Sequence, residues 1–317
     1  MESMMEIPIY ILSGFLESGK TTLMRETLDD PEFSSGEKTL LIVCEEGVEE
    51  YDEEMLKRWN AALVEVESPD ELTRDFFAKL QKKYRPDRVM IEYNGTWKMD
   101  AILEADFPSR WVIVQVITTV DASTFDNYMS NMRSLMIEQL TGSDMVIFNR
   151  CDKNTKTAVY RRSIKVVNRK AAIYFEALPG VEELQEEDFL PFNLDADVIE
   201  IEDDDFGIWY VDAMDNPKKY EGKTVKFKGM VYKADRLGKG YFVPGRFAMT
   251  CCADDVAFIG FLCEYDKVAE LKLRSWWTVT AKVKVEYTKE YRCEGPVLKA
   301  IRLEPAEKPE EKLVYFN

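Results

Sequence analysis

The sequence predicts an α/β domain, built on a mostly parallel sheet with helices on both faces, followed by a small all-β domain. Two observations carry this expectation. Up to about residue 180, short apolar runs alternate with helix-period segments; beyond an acid-rich stretch, strand-like runs follow one another between Gly, Pro and charged turns.

The first class of run comprises IPIYILS (7–13), TLLIVC (39–44), RVMIEY (88–93), WVIVQVITTV (111–120), MVIF (145–148) and AAIYF (171–175). Such near-continuous apolar strands belong to parallel sheets buried on both faces. After Ser68-Pro69-Asp70, Leu72, Phe76, Leu80 and Tyr84 recur every four residues and give a helix one apolar stripe. A second helix is expected from Tyr128 to Leu140, with Met132, Leu135, Met136 and Gln139-Leu140 on its stripe.

Residues 182–205 hold twelve acidic residues and no Lys or Arg, the pattern of a solvated linker. After it come VKFKGMVY (225–232), GYFVPGRFAMT (240–250), AFIGFLC (257–263), WWTVTAKVKVEY (276–287) and VLKAIRL (297–303). Five short strands with one helix near Asp266 to Lys272 point to a five-stranded barrel of the OB type. The expected organisation is an α/β domain over 1–180, an acidic linker over 181–206, an OB-like domain over 207–305 and a tail over 306–317.

The chain has 317 residues, 42 Lys+Arg against 59 Asp+Glu, a net charge of -17, six Cys and no His. The acidic excess argues against a nucleic-acid partner, whose phosphates are neutralised by Lys and Arg. Without His there is no Ser-His-Asp triad, no Cys-His dyad and no imidazole metal ligand. Sparse cysteines, no targeting segment and no uncharged run of membrane-spanning length predict a cytoplasmic protein with reduced thiols and no membrane insertion.

The strongest motif is GFLESGKT, Gly14 to Thr21, between a strand and a helix. It fits G-x-x-x-x-G-K-[ST], the phosphate loop of P-loop NTPases, in which backbone N–H groups cradle phosphates, Lys20 reaches the β/γ oxygens and the Thr21 hydroxyl binds Mg²⁺. The run MVIFNRCD places Asn149 and Asp152 at the carboxyl end of a buried strand, where open α/β sheets bind ligands. A carboxylate there accepts from N1–H and the exocyclic amine of guanine, whereas adenine presents an acceptor. Asp152 is therefore expected to select guanine.

Together these residues resemble the CobW-type GTPases, related to the urease and hydrogenase maturation GTPases. The matching segments are IPIYILSGFLESGKTTL, IEYNG (91–95), TVDAS (119–123) and EQLTGSDMVIFNRCD (138–152). The resemblance implies that Gly14, Ser18, Gly19, Lys20, Thr21 and Thr22 hold GTP phosphates and Mg²⁺. It places Glu92 in the outer sphere of the Mg²⁺ and Asn149 with Asp152 on the base. CEEGVEEYD (44–52) aligns with the family's switch segment, where Glu45, Gly47 and Asp52 match while Cys44 and Glu46 depart. It reads either as a mobile loop closing on Mg²⁺ and γ-phosphate through Glu45 and Asp52, or as a solvated acidic surface. On this resemblance Lys20, Thr21, Glu92 and Asp52 serve hydrolysis.

Two departures stand out. The family's Cys-x-Cys-Cys metal site has no counterpart in ALVEVESPDEL, 61–72, and Glu17 stands in the phosphate loop where Gly is common, a carboxylate placed to weaken binding or slow hydrolysis. In the second domain, GRFAMTCCADD (245–255) and FIGFLC (258–263) resemble a small domain of bacterial proteins associated with metal-regulated permeases. Cys251, Cys252 and Cys263, with Asp254 or Asp255, are either Zn²⁺ ligands or packed thiols. The expected function is slow Mg²⁺-dependent GTP hydrolysis coupled to metal handling or metallocofactor assembly, with a metalloprotein client or metal-transport component as partner. The alternative is a nucleotide-dependent interaction switch without metal cargo.

Overall fold

The computed structural model describes residues 6–45, 47, 51–181, 184, 190–234, 237–249, 256–310, 313–314 and 316. The chain divides into two compact units, 1–157 with 170–185, and 158–169 with 186–317.

The first unit runs β1 (Ile7–Ser13), α1 (Lys20–Asp29), β2 (Thr39–Val43), α2 (Glu53–Arg58), β3 (Ala61–Glu65), α3 (Arg74–Tyr84), β4 (Arg88–Glu92), α4 (Asp100–Leu103), β5 (Trp111–Asp121), α5 (Phe125–Asn131), α6 (Arg133–Thr141), β6 (Met145–Cys151) and β7 (Ala172–Ala177). Among the described residues its strands form one seven-stranded sheet of order β3-β2-β4-β1-β5-β6-β7, parallel throughout. Side chains alternate across it. Val89 and Ile91 of β4 pack with Phe77 and Leu80 of α3, while Met90 between them packs with Met24 and Leu28 of α1. Both faces are therefore covered, as the apolar runs predicted.

Strand order reverses about β1, so the segments leaving β1 and β5 diverge. A crevice opens there at the carboxyl ends of the strands, the position from which α/β sheets bind ligands. The expected helix from Tyr128 to Leu140 is instead α5 and α6, broken at Met132, whose φ/ψ of -133°/36° leaves the helical region. The edge strand β3 was not expected.

In the second unit, α7 (Thr157–Val167) groups from Ala158 onward with the C-terminal part of the chain. There follow β8 (Ile199–Glu200), α8 (Phe206–Asp215), α9 (Pro217–Tyr220), β9 (Thr224–Tyr232), β10 (Tyr241–Met249), β11 (Val256–Gly260), β12 (Leu262–Glu264), β13 (Trp276–Thr288), β14 (Cys293–Pro305) and β15 (Leu313–Val314). Pairings β9–β10, β10–β12, β12–β14, β14–β13 and β13–β9 close a five-stranded barrel, with β8, β11 and β15 as additions. The expected helix near Asp266 to Lys272 is a single 3₁₀ turn, Val268–Glu270.

The stretch expected as a linker, 181–206, is folded in its second half. Ile199 and Ile201 are buried with Phe192 in the barrel-side core, while Glu200 between them and Glu202 after them are exposed. Asp203 accepts from Lys228 Nζ at 2.8 Å and from Arg246 Nη1 at 3.2 Å, so part of the acidity is matched by barrel cations. No helix among the described residues is long and apolar enough to cross a membrane.

Candidate nucleotide-binding site

The loop between β1 and α1 folds as it does because two glycines are needed. Gly14 has φ 141° and a Cβ there would fall 2.5 Å from the Thr119 carbonyl oxygen; Gly19 has φ 96° and a Cβ would fall 2.4 Å from Asn149 Nδ2. Gly19 is the N-cap of α1 and supplies no side-chain hydrogen bond to its first turn, which also lacks acidic residues. The amides of Lys20, Thr21 and Thr22 therefore begin a ten-residue helix with its positive end toward the loop, the arrangement that favours a bound anion.

Around this loop the side chains are strongly organised. Lys20 is 4% exposed, and its ammonium donates to Gly14 O at 2.9 Å, Phe15 O at 3.0 Å and Glu45 Oε2 at 2.6 Å. Thr21 Oγ1 donates to Glu92 Oε1 at 2.6 Å, and Tyr51 Oη donates to Glu92 Oε2 at 2.5 Å. Ser18 Oγ pairs with Thr119 Oγ1 at 2.8 Å. A cavity of about 370 Å³ is lined by Glu17, Gly19, Lys20, Thr21, Glu45 and Arg150, among others. A second of about 560 Å³ shares Thr21, Glu45 and Glu92 with it.

Asn149 lies near the carboxyl end of β6, beside the loop. Its Nδ2 donates to Ser18 O at 2.7 Å, while its Oδ1 is buried without a partner. Such an orphaned acceptor is the kind of group a ligand donor satisfies. Asp152 folds its carboxylate into an Asx turn, accepting from Asn154 N at 2.9 Å, Thr155 Oγ1 at 3.1 Å and Asn154 Nδ2 at 3.2 Å. The Asn154 amide leads these contacts in holding the carboxyl below its ordinary value, against a smaller opposing effect of burial.

The expected residues do not all converge. Gly14, Ser18, Gly19, Lys20, Thr21, Glu45, Glu92 and Asn149 lie around one loop, with Glu17 and Thr22 on the cavity wall. Asp52 instead caps α2, its Oδ1 accepting from Met55 N at 2.8 Å, and it does not line either cavity. Cys263 is fully buried in the barrel, in register with Phe242 and Leu298, and burial pushes its thiol well above its ordinary value. Among the described residues it packs with apolar side chains. Among the described residues no group of three or more His, Cys, Asp or Glu is arranged to hold a metal ion. Cys251, Cys252, Asp254, Asp255 and Glu46 lie outside the described residues.

Sequence reasoning missed Arg150, the residue after Asn149 in the NRCD run. It takes φ 52° and its Nη1 donates to Glu17 O at 2.8 Å and to Asp121 Oδ2 at 2.6 Å. Asp121 is itself fixed by Ser123 through N and Oγ at 2.9 and 2.6 Å. The signal was the proximity of TVDAS and NRCD, both singled out but never paired with each other.

The donor set suits a nucleotide with a hard cation: helix-start amides and an ammonium for phosphates, and a hydroxyl with carboxylates for oxygen-preferring Mg²⁺. Comparison with known proteins agrees. Among relatives, the zinc chaperone CobW of Pseudomonas aeruginosa is 26% identical over 202 residues, 51% of this chain and 53% of that protein. The zinc-regulated GTPase metalloprotein activator 1 of Schizosaccharomyces pombe is 25% identical over 198 residues, 53% of this chain and 45% of that protein. The UPF0703 protein YcgQ of Bacillus subtilis is 27% identical over 117 residues, 37% of this chain and 41% of that protein. The chain thus spans about half, or less, of each relative's length. Residues 182–316 match the DUF1980 C-terminal domain. Residues 8–175 match the CobW/HypB/UreG nucleotide-binding domain, and with more than half of its length in that match the chain belongs to this family.

Proposed function

We propose that the protein binds GTP and hydrolyses it slowly with Mg²⁺, and that this cycle is coupled to the handling of a metal such as zinc. One observation carries the nucleotide reading: Lys20, Thr21 and the first amides of α1 converge on one loop, with the Thr21 hydroxyl already held by Glu92. In this reading the loop amides and Lys20 bind the β- and γ-phosphates and stabilise the charge that develops on the transferred group. Mg²⁺, when bound, neutralises phosphate charge. Glu92 orients the Thr21 hydroxyl, and Asn149 and Asp152 take the guanine base. Arg150 lines the cavity, but its guanidinium is held by Glu17 O and Asp121, which supports low turnover without a partner.

Metal coupling draws on the relatives named zinc chaperone and zinc-regulated GTPase. A second reading, a nucleotide-dependent interaction switch without metal cargo, is favoured by the missing thiols at 61–72 and by the core placement of Cys263. The deciding measurement is GTP hydrolysis with and without a panel of divalent metals, alongside metal content of the wild type and a Cys251→Ser/Cys252→Ser form. Metal-stimulated turnover with zinc lost in the double variant supports metal handling; turnover indifferent to metal, with no zinc in either form, supports the switch. Lys20→Ala is expected to abolish GTP affinity, and retained tight binding overturns the nucleotide reading itself.

A further inference from the structure

Gln139 sits on α6 with 1% of its surface exposed, in a helix whose other buried side chains include Met136, Ile137 and Leu140. A buried carboxamide is unfavourable unless its hydrogen bonds are made, and a Met or Leu would fill the position without that cost. Both ends of this amide are used. Nε2 donates to Gly95 O at 2.5 Å, and Oε1 accepts from Ser13 Oγ at 3.2 Å. The preceding residue, Glu138, accepts through Oε1 from Met99 N at 2.7 Å. One turn of α6 thus grips both ends of the 95–99 segment that follows Glu92.

Gly95 in turn lies against the phosphate loop. A Cβ at Gly95 would fall 2.1 Å from Gly14 O, and that same carbonyl accepts from Lys20 Nζ at 2.9 Å. Gln139 also borders a cavity of about 90 Å³ behind the loop with Phe15, Ser18 and Thr119. A continuous path of contacts therefore runs from Gln139 through Gly95 and Gly14 to Lys20, and Gln139 is not among the residues lining the cavity of about 370 Å³ beside the loop.

We propose that Gln139 is a positioning residue for phosphoryl transfer: its carboxamide fixes the Gly95 carbonyl and so sets the distance between the Glu92–Gly95 segment and the phosphate loop. This rests on the nucleotide-hydrolysing reading of the site. Two variants of the full chain separate its contacts. Gln139→Met keeps volume and loses both hydrogen bonds; Gln139→Glu keeps the acceptor for Ser13 and loses the donor to Gly95.

The measurements are kcat and KM for GTP, and hydrogen exchange of residues 93–99 in nucleotide-free protein. Both variants are expected to lower kcat on the order of ten- to a hundredfold, the scale of a small misplacement of reacting groups, with KM changed less than about threefold. Exchange at 93–99 rises in both while the β1 and β4 amides keep their protection, a pattern that general destabilisation does not give. Wild-type kcat in Gln139→Glu, or unchanged exchange at 93–99, overturns the proposal. Should Gln139→Met not fold, Gln139→Glu alone decides. Absence of GTP hydrolysis in the wild type would sink the underlying reading instead, and the exchange comparison still reports whether Gln139 positions the segment.

Discussion

Lys20 Nζ and Glu45 Oε2 are 2.6 Å apart, their side chains 3% and 10% exposed. The other two N–H groups of the ammonium go to Gly14 O and Phe15 O, so the three donors of the Lys are engaged. In the proposed nucleotide reading, a phosphate on Lys20 takes the place of one of these acceptors, and the charged Glu45 carboxylate then acts as an internal competitor for it.

Glu45→Gln is therefore expected to raise GDP affinity in the absence of Mg²⁺ by about tenfold, equivalent to about 1.4 kcal/mol. Titration with a fluorescent GDP analogue in chelator reads it directly. An unchanged Kd removes Glu45 as a competitor.

For the proposed base-reading role, the Asp152 carboxylate is fixed by its own turn, through Asn154 and Thr155, rather than by burial. Its folded pKa is lowered, led by the Asn154 amide. The sign follows: the stabilising turn is fully present above the unfolded value of about 4 and is lost as pH falls through the lower folded value. Guanine preference should therefore hold from about pH 5 to about pH 8. Asp152→Asn, which replaces one acceptor by a donor, should cut the GTP/ATP affinity ratio by about tenfold or more, because a donor then meets a donor of the base. A ratio unchanged in competition binding refutes the base-reading role.

How much of this was legible in the sequence depends on how local the signal was. The phosphate loop is one strand, one turn and one helix start, and the motif residues sit where their order placed them. The apolar runs likewise became β1, β2, β4, β5, β6 and β7; the buried strands β1, β2 and β4 show the continuous apolar signature of a doubly covered sheet, while Val112 and Val114 of β5 and Tyr174 of β7 are exposed. Edge strand β3 escaped notice because AALVE is only partly buried and carries little of that signature. Helix α8 was hidden behind an acidic run and is apolar nearly all round, with seven of its ten residues buried, so no amphipathic period marks it. The Lys20–Glu45 pair, the Arg150 clamp and the Gln139–Gly95 bond join residues 25 or more positions apart. Only the folded chain brings them together.

The thiols should differ sharply in reactivity. Burial, aided by the neighbouring Glu92 and Glu45 carboxylates, pushes Cys44 up to about 12, and burial pushes Cys151 up to about 11. At pH 8 their thiolate fractions are then about one in ten thousand and about one in a thousand, and the thiolate is the species that alkylates. Cys293 is partly exposed. Native iodoacetamide labelling followed by peptide mass mapping should modify Cys293 well before Cys44, Cys151 or Cys263. Equal labelling of Cys44 and Cys293 would contradict the closed geometry of the β2 end.

Stability of the second unit should hinge on Asp212, a carboxylate 4% exposed on α8. It accepts from Tyr220 Oη at 2.5 Å, Lys219 Nζ at 3.1 Å and Asn216 Nδ2 at 3.0 Å, tying α8 to α9 under the barrel. Asp212→Ala leaves the buried Tyr220 hydroxyl and a partly buried ammonium without this acceptor, a loss of about 3–5 kcal/mol. At about 2–4 °C per kcal/mol for a domain of this size, the unfolding transition of this unit should fall by about 6–20 °C. Tyr220→Phe removes one hydroxyl and should cost only about 1 kcal/mol. Asp212→Asn keeps an acceptor for Tyr220 but loses the ion pair, and should fall between the two. Differential scanning calorimetry resolves the order, and an Asp212→Ala transition at the wild-type temperature would show that the α8–α9 junction is held by apolar packing alone.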